Sequence, residues 1–352
     1  MAAIAPPGDG PRPSDAELRF VAACATFAPS GGNAQPWRFT AADGCLAADL
    51  DPARTGSMLD FRGRASLLAL GAAREAAVIG ATAAGFTADP VDSAVWRLRL
   101  HRTHRARPTT EFHTLLARHC RRNPRPSGPI PPSARAAITD AAGGLTTRWV
   151  DHPASLATLG AALGELGRLQ VLGPGLHRQL VAELRFSDAE ARETRDGIDL
   201  AALGMDEADL AALRLLRSPA TVERLRALGL GQALRDAARS AFTTAGAALV
   251  VGAAATGTAA LLDAGRDLLR LWLAATEHGI GVHPFGTPFL AQRLAEEPET
   301  LAPWEQDAVR AALPAITLPD ATVLLVLRLS TDAASGGRSL RRPVEEVLTL
   351  LG

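Results

Sequence analysis

Ala28-Pro29-Ser30-Gly31-Gly32-Asn33-Ala34-Gln35-Pro36-Trp37-Arg38-Phe39 is the stretch on which the reading of this chain turns. Pro29 and the Gly31-Gly32 pair end any helix before them, and Trp37 opens a short strand or hairpin that runs to Leu50. Between these lie Ser30, Asn33 and Gln35, whose hydroxyl and amide groups can bond the edge of a heterocycle that carries both donors and acceptors. The two glycines let the backbone come close to a flat ligand. The same residue types also form ordinary capped loops, and composition alone leaves that reading open.

Outward from this segment the periodicities alternate. Residues 1–13 are rich in Pro and Gly and read as a loose tail. Ser14-Asp15-Ala16-Glu17 is a capping box, and Leu18, Val21, Ala22 and Ala25 follow at helical spacing. A second helix is expected over 64–84, stopped by Gly85, and a half-buried strand over 95–100. A helix over 111–122 opens a second half, followed by a Pro-rich linker through Pro132. Strands at 146–150, 247–251 and 321–330 then alternate with helices at 154–170 and 261–278. A charged, helix-rich stretch from 172 to 239, containing the turn Gly229-Leu230-Gly231, interrupts that half as an inserted subdomain. The class is α+β.

Composition removes several functions. The chain has 352 residues, 47% of them apolar, and a formal net charge of zero, so nothing argues for a nucleic acid or an anionic membrane as partner. It contains no lysine and no tyrosine, which excludes a Schiff-base lysine, a P-loop lysine and a Tyr/Lys proton relay. Cys24, Cys45 and Cys120 form neither a CxxC nor a disulfide framework, and the opening residues lack the pattern of a signal peptide. A cytoplasmic protein is expected. Residues 241–262 carry no charge, but are mostly Ala, Gly and Thr, and read as a buried strand running into a helix rather than a membrane span. His101, His104, His113, His119 and Cys120 lie close in sequence without the spacing of a zinc site, so no metal is expected.

With these residues in view, the quoted stretch resembles the APSxxNxQPW motif of nitroreductase-superfamily flavoproteins. The resemblance implies FMN contacts at Pro29, Ser30, Asn33, Gln35 and Trp37. His119-Cys120-Arg121-Arg122-Asn123-Pro124-Arg125-Pro126, followed by Gly128-Pro129-Ile130-Pro131-Pro132, resembles the family's RRSxRxF…PVP opening, with Asn123 where Ser or Thr is usual. It implies that Arg121, Arg122 and Arg125 hold the FMN phosphate and ribityl chain. Guanidinium forks at a helix end match phosphate oxygens, although a solvated basic helix terminus fits the same residues. Glu277-His278-Gly279-Ile280-Gly281-Val282-His283-Pro284-Phe285-Gly286 resembles the family's turn beside the isoalloxazine ring, which places His283, Pro284, Phe285 and Gly286 there and a backbone N–H at flavin N5. A plain C-capping glycine explains Gly279 equally well. Arg328, Arg341 and Arg342 correspond to basic groups that the family uses near its C-terminal end.

Arg341-Arg342-Pro343-Val344, Gly63-Arg64 with Gly71-Ala72-Ala73, and Ala264-Gly265 resemble the fused, double-length branch typified by Acg-type flavin-binding proteins. The implied fold is two nitroreductase-like halves in one intramolecular pseudo-dimer, with mixed or antiparallel sheets packed with helices. The first half spans 14–105 and the second 106–352, with the helical insertion, a candidate lid, at about 172–240. Because the NxQPW string lies in the first half and the other motifs in the second, one complete site per chain is expected. The implied activity is an FMN-dependent oxidoreductase running two-electron chemistry at N5 on a small organic substrate, with NAD(P)H as the candidate electron donor. The chain is then a monomer or a homodimer, and no residue stands out as proton donor. The alternative is a flavin-sequestering protein whose FMN lies occluded beneath the insertion.

Overall fold

The computed structural model describes residues 12–91, 95–103, 105–122, 125–331 and 337–351. Most of the tail, His104, Asn123 and Pro124 lie outside the described residues. Ser14 caps α1 (Asp15–Ala25): its Oγ accepts the Glu17 N–H while the Glu17 carboxylate accepts the Ser14 N–H at 2.8 Å. The same carboxylate takes Arg102 at 3.0 Å, which ties the helix start to a strand. The expected hairpin follows as β1 (Trp37–Ala42) and β2 (Cys45–Leu50), then α2 (Arg64–Ala83), β3 (Phe86–Val91), β4 (Trp96–Arg102) and α3 (Thr110–Ala117).

The chain continues through α4 (Pro132–Asp140), β5 (Thr146–Val150) and α5 (Pro153–Leu172). The insertion holds α6 (Pro174–Glu183), β6 (Leu184–Arg185), α7 (Asp188–Thr194), β7 (Ile198–Asp199), α8 (Glu207–Leu215), α9 (Pro219–Ala227) and α10 (Gln232–Thr243). After it come β8 (Ala247–Ala253), α11 (Thr258–Glu277), β9 (Gly281–Phe285), α12 (Phe289–Glu296), α13 (Pro303–Ile316), β10 (Thr322–Ser330), α14 (Val344–Val347) and β11 (Leu348–Leu350). The uncharged stretch 241–262 is thus a helix end, the fully buried β8 and a helix start. The span Phe61–Ala83 is long and apolar enough to cross a membrane by length and composition, but most of it is buried against other elements.

Two larger sheets lie among these helices, beside the two-stranded β6-β7 pair of the insertion, as the α+β reading requires. One runs β11-β1-β2-β4-β3, the other β5-β8-β10-β9. Leaving β11 aside, both follow one order: first strand, second, last, third. Within these two sheets the described pairs are antiparallel except β11, which adds parallel to β1 and brings the last strand into the sheet of β1–β4; β6 and β7 also pair parallel.

α2 and α11, each 20 residues long, pack between the sheets and cross where both carry glycine as the eighth residue. A Cβ at Gly71 would lie 2.0 Å from the Leu262 carbonyl oxygen, and a Cβ at Gly265 would lie 2.0 Å from the Leu68 carbonyl oxygen. Leu68 and Leu262 each stand three residues before the glycine of their own helix, so the two approaches are reciprocal, which is the pattern of a two-fold contact. The same spacing relates Gly85 to Gly279, both left-handed just past a helix end, and Pro90 to Pro284 on edge strands. Proline is tolerated there because an edge strand has one side without ladder bonds.

Two sequence expectations are corrected. The helix expected over 111–122 ends at Ala117; Arg118 turns extended, and Cys120 bridges to Val282, so Arg121 and Arg122 stand on an extended strip rather than a helix end. The turn expected over 281–286 is largely β9, because Gly279 closes α11 and the following residues pair with β10. The helices over 289–316 and the strands β3 and β11 had no expected counterpart.

Gly71→Ala and Gly265→Ala should each destabilise the fold by about 3 kcal/mol, since the obstacle is backbone and the helices must move apart. Gly167→Ala, on α5 with nothing within 4 Å of the added Cβ, should be neutral or stabilising by up to about 1 kcal/mol. Chemical denaturation checks this; equal effects at all three positions would contradict the close crossing.

Candidate functional site

The loop before β1 is wound tightly: Gly32, Asn33 and Gln35 all have left-handed backbone, at φ 56°, 54° and 53°. Ser30 Oγ accepts the Gln35 N–H at 3.0 Å and closes the turn. Asn33 and Gln35 are buried, and their amides reach two distant parts of the chain. Asn33 Nδ2 donates to the carbonyls of Gly197 and Leu340, both at 3.0 Å, and its Oδ1 accepts Arg341 Nη1 at 2.8 Å. Gln35 Nε2 donates to the Arg195 carbonyl at 2.8 Å, and its Oε1 accepts the Arg342 N–H at 3.0 Å. These amides therefore fasten the insertion and the C-terminal segment to the loop.

Arg341 also donates to the Thr26 and Ala28 carbonyls, and Arg118 to the Phe27 carbonyl, so the end of α1 is ringed by guanidinium groups. Arg118 lies over the Trp272 ring of α11, 4.7 Å from its centroid. Burial pushes the Arg118 guanidinium down to about 9, helped by repulsion from Arg341. Burial likewise lowers Arg341 to about 10; the Cys120 sulfur opposes this and Arg122 adds to it. His283 is held well below its ordinary value by burial, then by Arg122 and Arg328, and is neutral at pH 7. Arg118, Arg341, Arg122, His283 and Arg328 thus form one electrostatic chain, and among the described residues no carboxylate acts on Arg118, Arg341 or His283.

Orphaned polar atoms gather in the same place. Among the described residues, buried side-chain nitrogens or oxygens without a partner occur at Trp37, Arg118, His119, Arg122, His283 and Thr287. Five of these six lie in 118–122 and 283–287. A native interior leaves few such groups, because each costs about 1–3 kcal/mol. Uncompensated positive charge with unfilled N–H groups is what an acceptor-rich anion would satisfy.

Not every residue singled out in the sequence joins this cluster. Arg121 runs along β9, its N–H donating to the Val282 carbonyl at 2.9 Å. Arg328 is buried, with Nε on the Ala241 carbonyl at 2.7 Å, and Phe285 lies against the His283 ring at 4.4 Å. Pro29 and Pro284 are half-buried, and no heavy atom lies within 4 Å of a Cβ built on Gly286. Trp37 sits wholly inside the first-half core, stacked on Phe39. Arg125 is exposed, and Arg342 pairs with Glu346 at 3.2 Å. Sequence reasoning missed Arg118, absorbed into a helix that ends early, and the contribution of the insertion at 195–197. A cavity of about 770 Å³ lies elsewhere, between α5, α10 and α13, lined by Glu165, Arg168, Arg235 and alanines.

Residues 9–122 match the model of the Nitroreductase family. The chain is 27% identical over 303 residues to the uncharacterized protein MT1398 of Mycobacterium tuberculosis, an alignment covering 82% of this chain and 41% of that protein. The chain thus spans less than half the length of that curated relative. Among solved structures it is similar to the FMN-dependent nitroreductase NfnB of Mycobacterium smegmatis in complex with NADPH, at 20% identity and a TM-score of 0.37 over 66% of this chain and 94% of that one. It is also similar to an FMN-bound nitroreductase of Bacteroides fragilis, at 16% identity and a TM-score of 0.31 over 63% and 88%.

The cationic cluster should make stability respond to oxyanions. Inorganic phosphate should raise Tm above chloride at equal ionic strength, by the equivalent of about 2.7 kcal/mol at a hundredfold excess over its Kd. Arg122→Ala should lose most of that difference while keeping any general salt effect. An unchanged phosphate increment in Arg122→Ala would contradict an anion site there.

Proposed function

The chain carries a nitroreductase-family segment over residues 9–122, and from that premise we propose that the protein is an FMN-dependent oxidoreductase with one flavin site built across two fused halves. The observation that carries the proposal is the group of Arg118, Arg341, Arg122 and His283, in which Arg118 Nε, Arg122 Nη1 and His283 Nδ1 are buried and unfilled and, among the described residues, no carboxylate acts on Arg118, Arg341 or His283. A terminal phosphate dianion fits that donor set, and FMN ends in one where FAD does not. When bound, FMN supplies two-electron transfer at N5 to a small organic substrate, with NAD(P)H as donor.

The protein's part is binding and positioning. Arg122 supplies an unfilled Nη1, and Arg341 holds the 30–35 loop while extending the positive field. His283, neutral and with Nδ1 unpartnered, can offer one donor and one acceptor. The fused pseudo-dimer is supported by the reciprocal glycine crossing and the shared strand order. One site per chain is supported by the symmetry-equivalent positions: where β9 and β10 pair His283 with Arg328, β3 and β4 pair Asp89 with Arg99, and both of those are exposed.

A second reading, flavin sequestration with little turnover, is favoured by one observation. The insertion is bonded directly to the Asn33 and Gln35 amides, so the loop is covered. Purified protein should be yellow and release FMN, as judged by mass analysis; recovery of FAD would overturn the assignment. Arg122→Ala should weaken flavin binding roughly ten- to hundredfold, the worth of a charge-assisted contact, and Arg105→Ala should leave it unchanged. Rapid anaerobic bleaching by NADPH identifies a reductase, and bound but unresponsive flavin identifies the sequestering form.

A further inference from the structure

Where the insertion meets the 30–35 loop, the contact is made by one short arm. Arg195 and Gly197 give their carbonyls to Gln35 and Asn33, and the Gly197 N–H returns to the Asn33 carbonyl at 3.4 Å. Asp196 bridges Arg185 within the arm and Arg54 of the first half, the latter at 2.7 Å, while Arg54 also holds the Ala34 carbonyl at 3.0 Å. Burial opposes ionisation of Asp196, but the hydrogen bonds from Arg54, Arg185 and Thr194 outweigh it and hold its carboxyl below the usual range. That bridge stays charged through neutral pH.

Glu183, the last residue of α6, behaves differently. Its carboxyl lies directly on the glycine turn: a Cβ at Gly32 would fall 2.6 Å from Glu183 Cδ and 2.7 Å from Oε2. Among the described residues no hydrogen bond or ion pair engages that carboxyl. Burial pushes it up to about 7, against the pull of Arg185. The other titratable or charged groups on the elements around it are His177 and Arg178 on α6, Asp188, Glu190, Arg192, Glu193, Arg195, Asp196 and Asp199 on the segment that follows, and Arg54, which is bonded to Asp196; the loop at 30–35 brings no titratable side chain.

We propose that residues 184–199 form a clasp over the 30–35 loop that loosens when Glu183 loses its proton to solvent. With the clasp open, Glu183 is hydrated and ionises as an ordinary carboxylate near 4.5; closed, it keeps its proton to about 7. The closed state therefore binds more protons across that interval. Closure is fully favoured below about 4.5, weakens as pH rises through about 7, and is constant above it. Each pH unit between the two values is worth about tenfold, so the closed-to-open ratio falls by up to roughly a hundredfold. What the clasp controls, access to a flavin, rests on the function proposed above; its opening does not.

Hydrogen exchange of full-length protein, corrected for the intrinsic pH dependence of exchange, tests this. Protection of peptides covering 188–199 should fall by up to roughly a hundredfold between pH about 5 and about 8 in the wild type. Glu183→Gln, a neutral isostere of the protonated acid, should keep acid-like protection throughout, and Glu183→Ala should likewise lose the pH dependence. Peptides from α11 report whether each variant is folded. A wild-type profile without pH dependence, or one shared by both folded variants, overturns the clasp. Colourless protein with the expected profile would sink the flavin assignment alone, and yellow protein with a flat profile would sink the clasp alone.

Discussion

At the crossing of α2 and α11 the two backbones are so close that neither helix can carry a side chain at the contact. Gly71 and Gly265 each face a carbonyl of the opposite helix, and the reciprocity means that one crossing sets the separation of both halves at once. Around that contact lie the two larger sheets, the first of them extended by β11 from the end of the chain, with α2 largely in the core of one and α11 shared between both. Because the helices cannot slide without driving a Cβ or a carbonyl into the other, the halves hold a fixed register.

The polar site depends on that register. The 30–35 loop leaves α1 in the first half, 118–122 crosses toward β9 in the second, and 338–342 returns from the far end of the chain. Arg338 donates to the Leu116 and Ala117 carbonyls, finishing α3, and β11 then pairs with β1. The C-terminal residues are thus a strap that holds Arg341 against Asn33. Bringing Arg118 and Arg341 together, with no carboxylate acting on either among the described residues, is unfavourable in itself, as the lowered proton affinities of these two record. Such an arrangement persists only where the surrounding structure enforces it, and an anionic ligand would recover the cost.

Local chemistry made some of this legible from sequence. The capping box at Ser14 and Glu17, the hairpin after Trp37 and the limits of β5 follow from side-chain hydrogen bonding and alternation, which act within a few residues. The three motif segments were also recognisable, and they hold or adjoin all the orphaned polar atoms. What stayed hidden depends on partners far away. β11 has three residues and is a strand only because β1 lies beside it. The strand at 281–285 contains a glycine and a proline and read as a turn, and only its edge position makes proline acceptable. Asn33 and Gln35 offered amides suited to a heterocycle, but nothing local could show that 195–197 and 340–342 would take them.

The central claim is a single anion-seeking site formed once per chain at the junction of two fused halves. Equilibrium titration of flavin-free protein with FMN, followed by fluorescence quenching, tests it most directly. The account predicts saturation at one FMN per chain. Saturation at two per chain, or no binding, would contradict it.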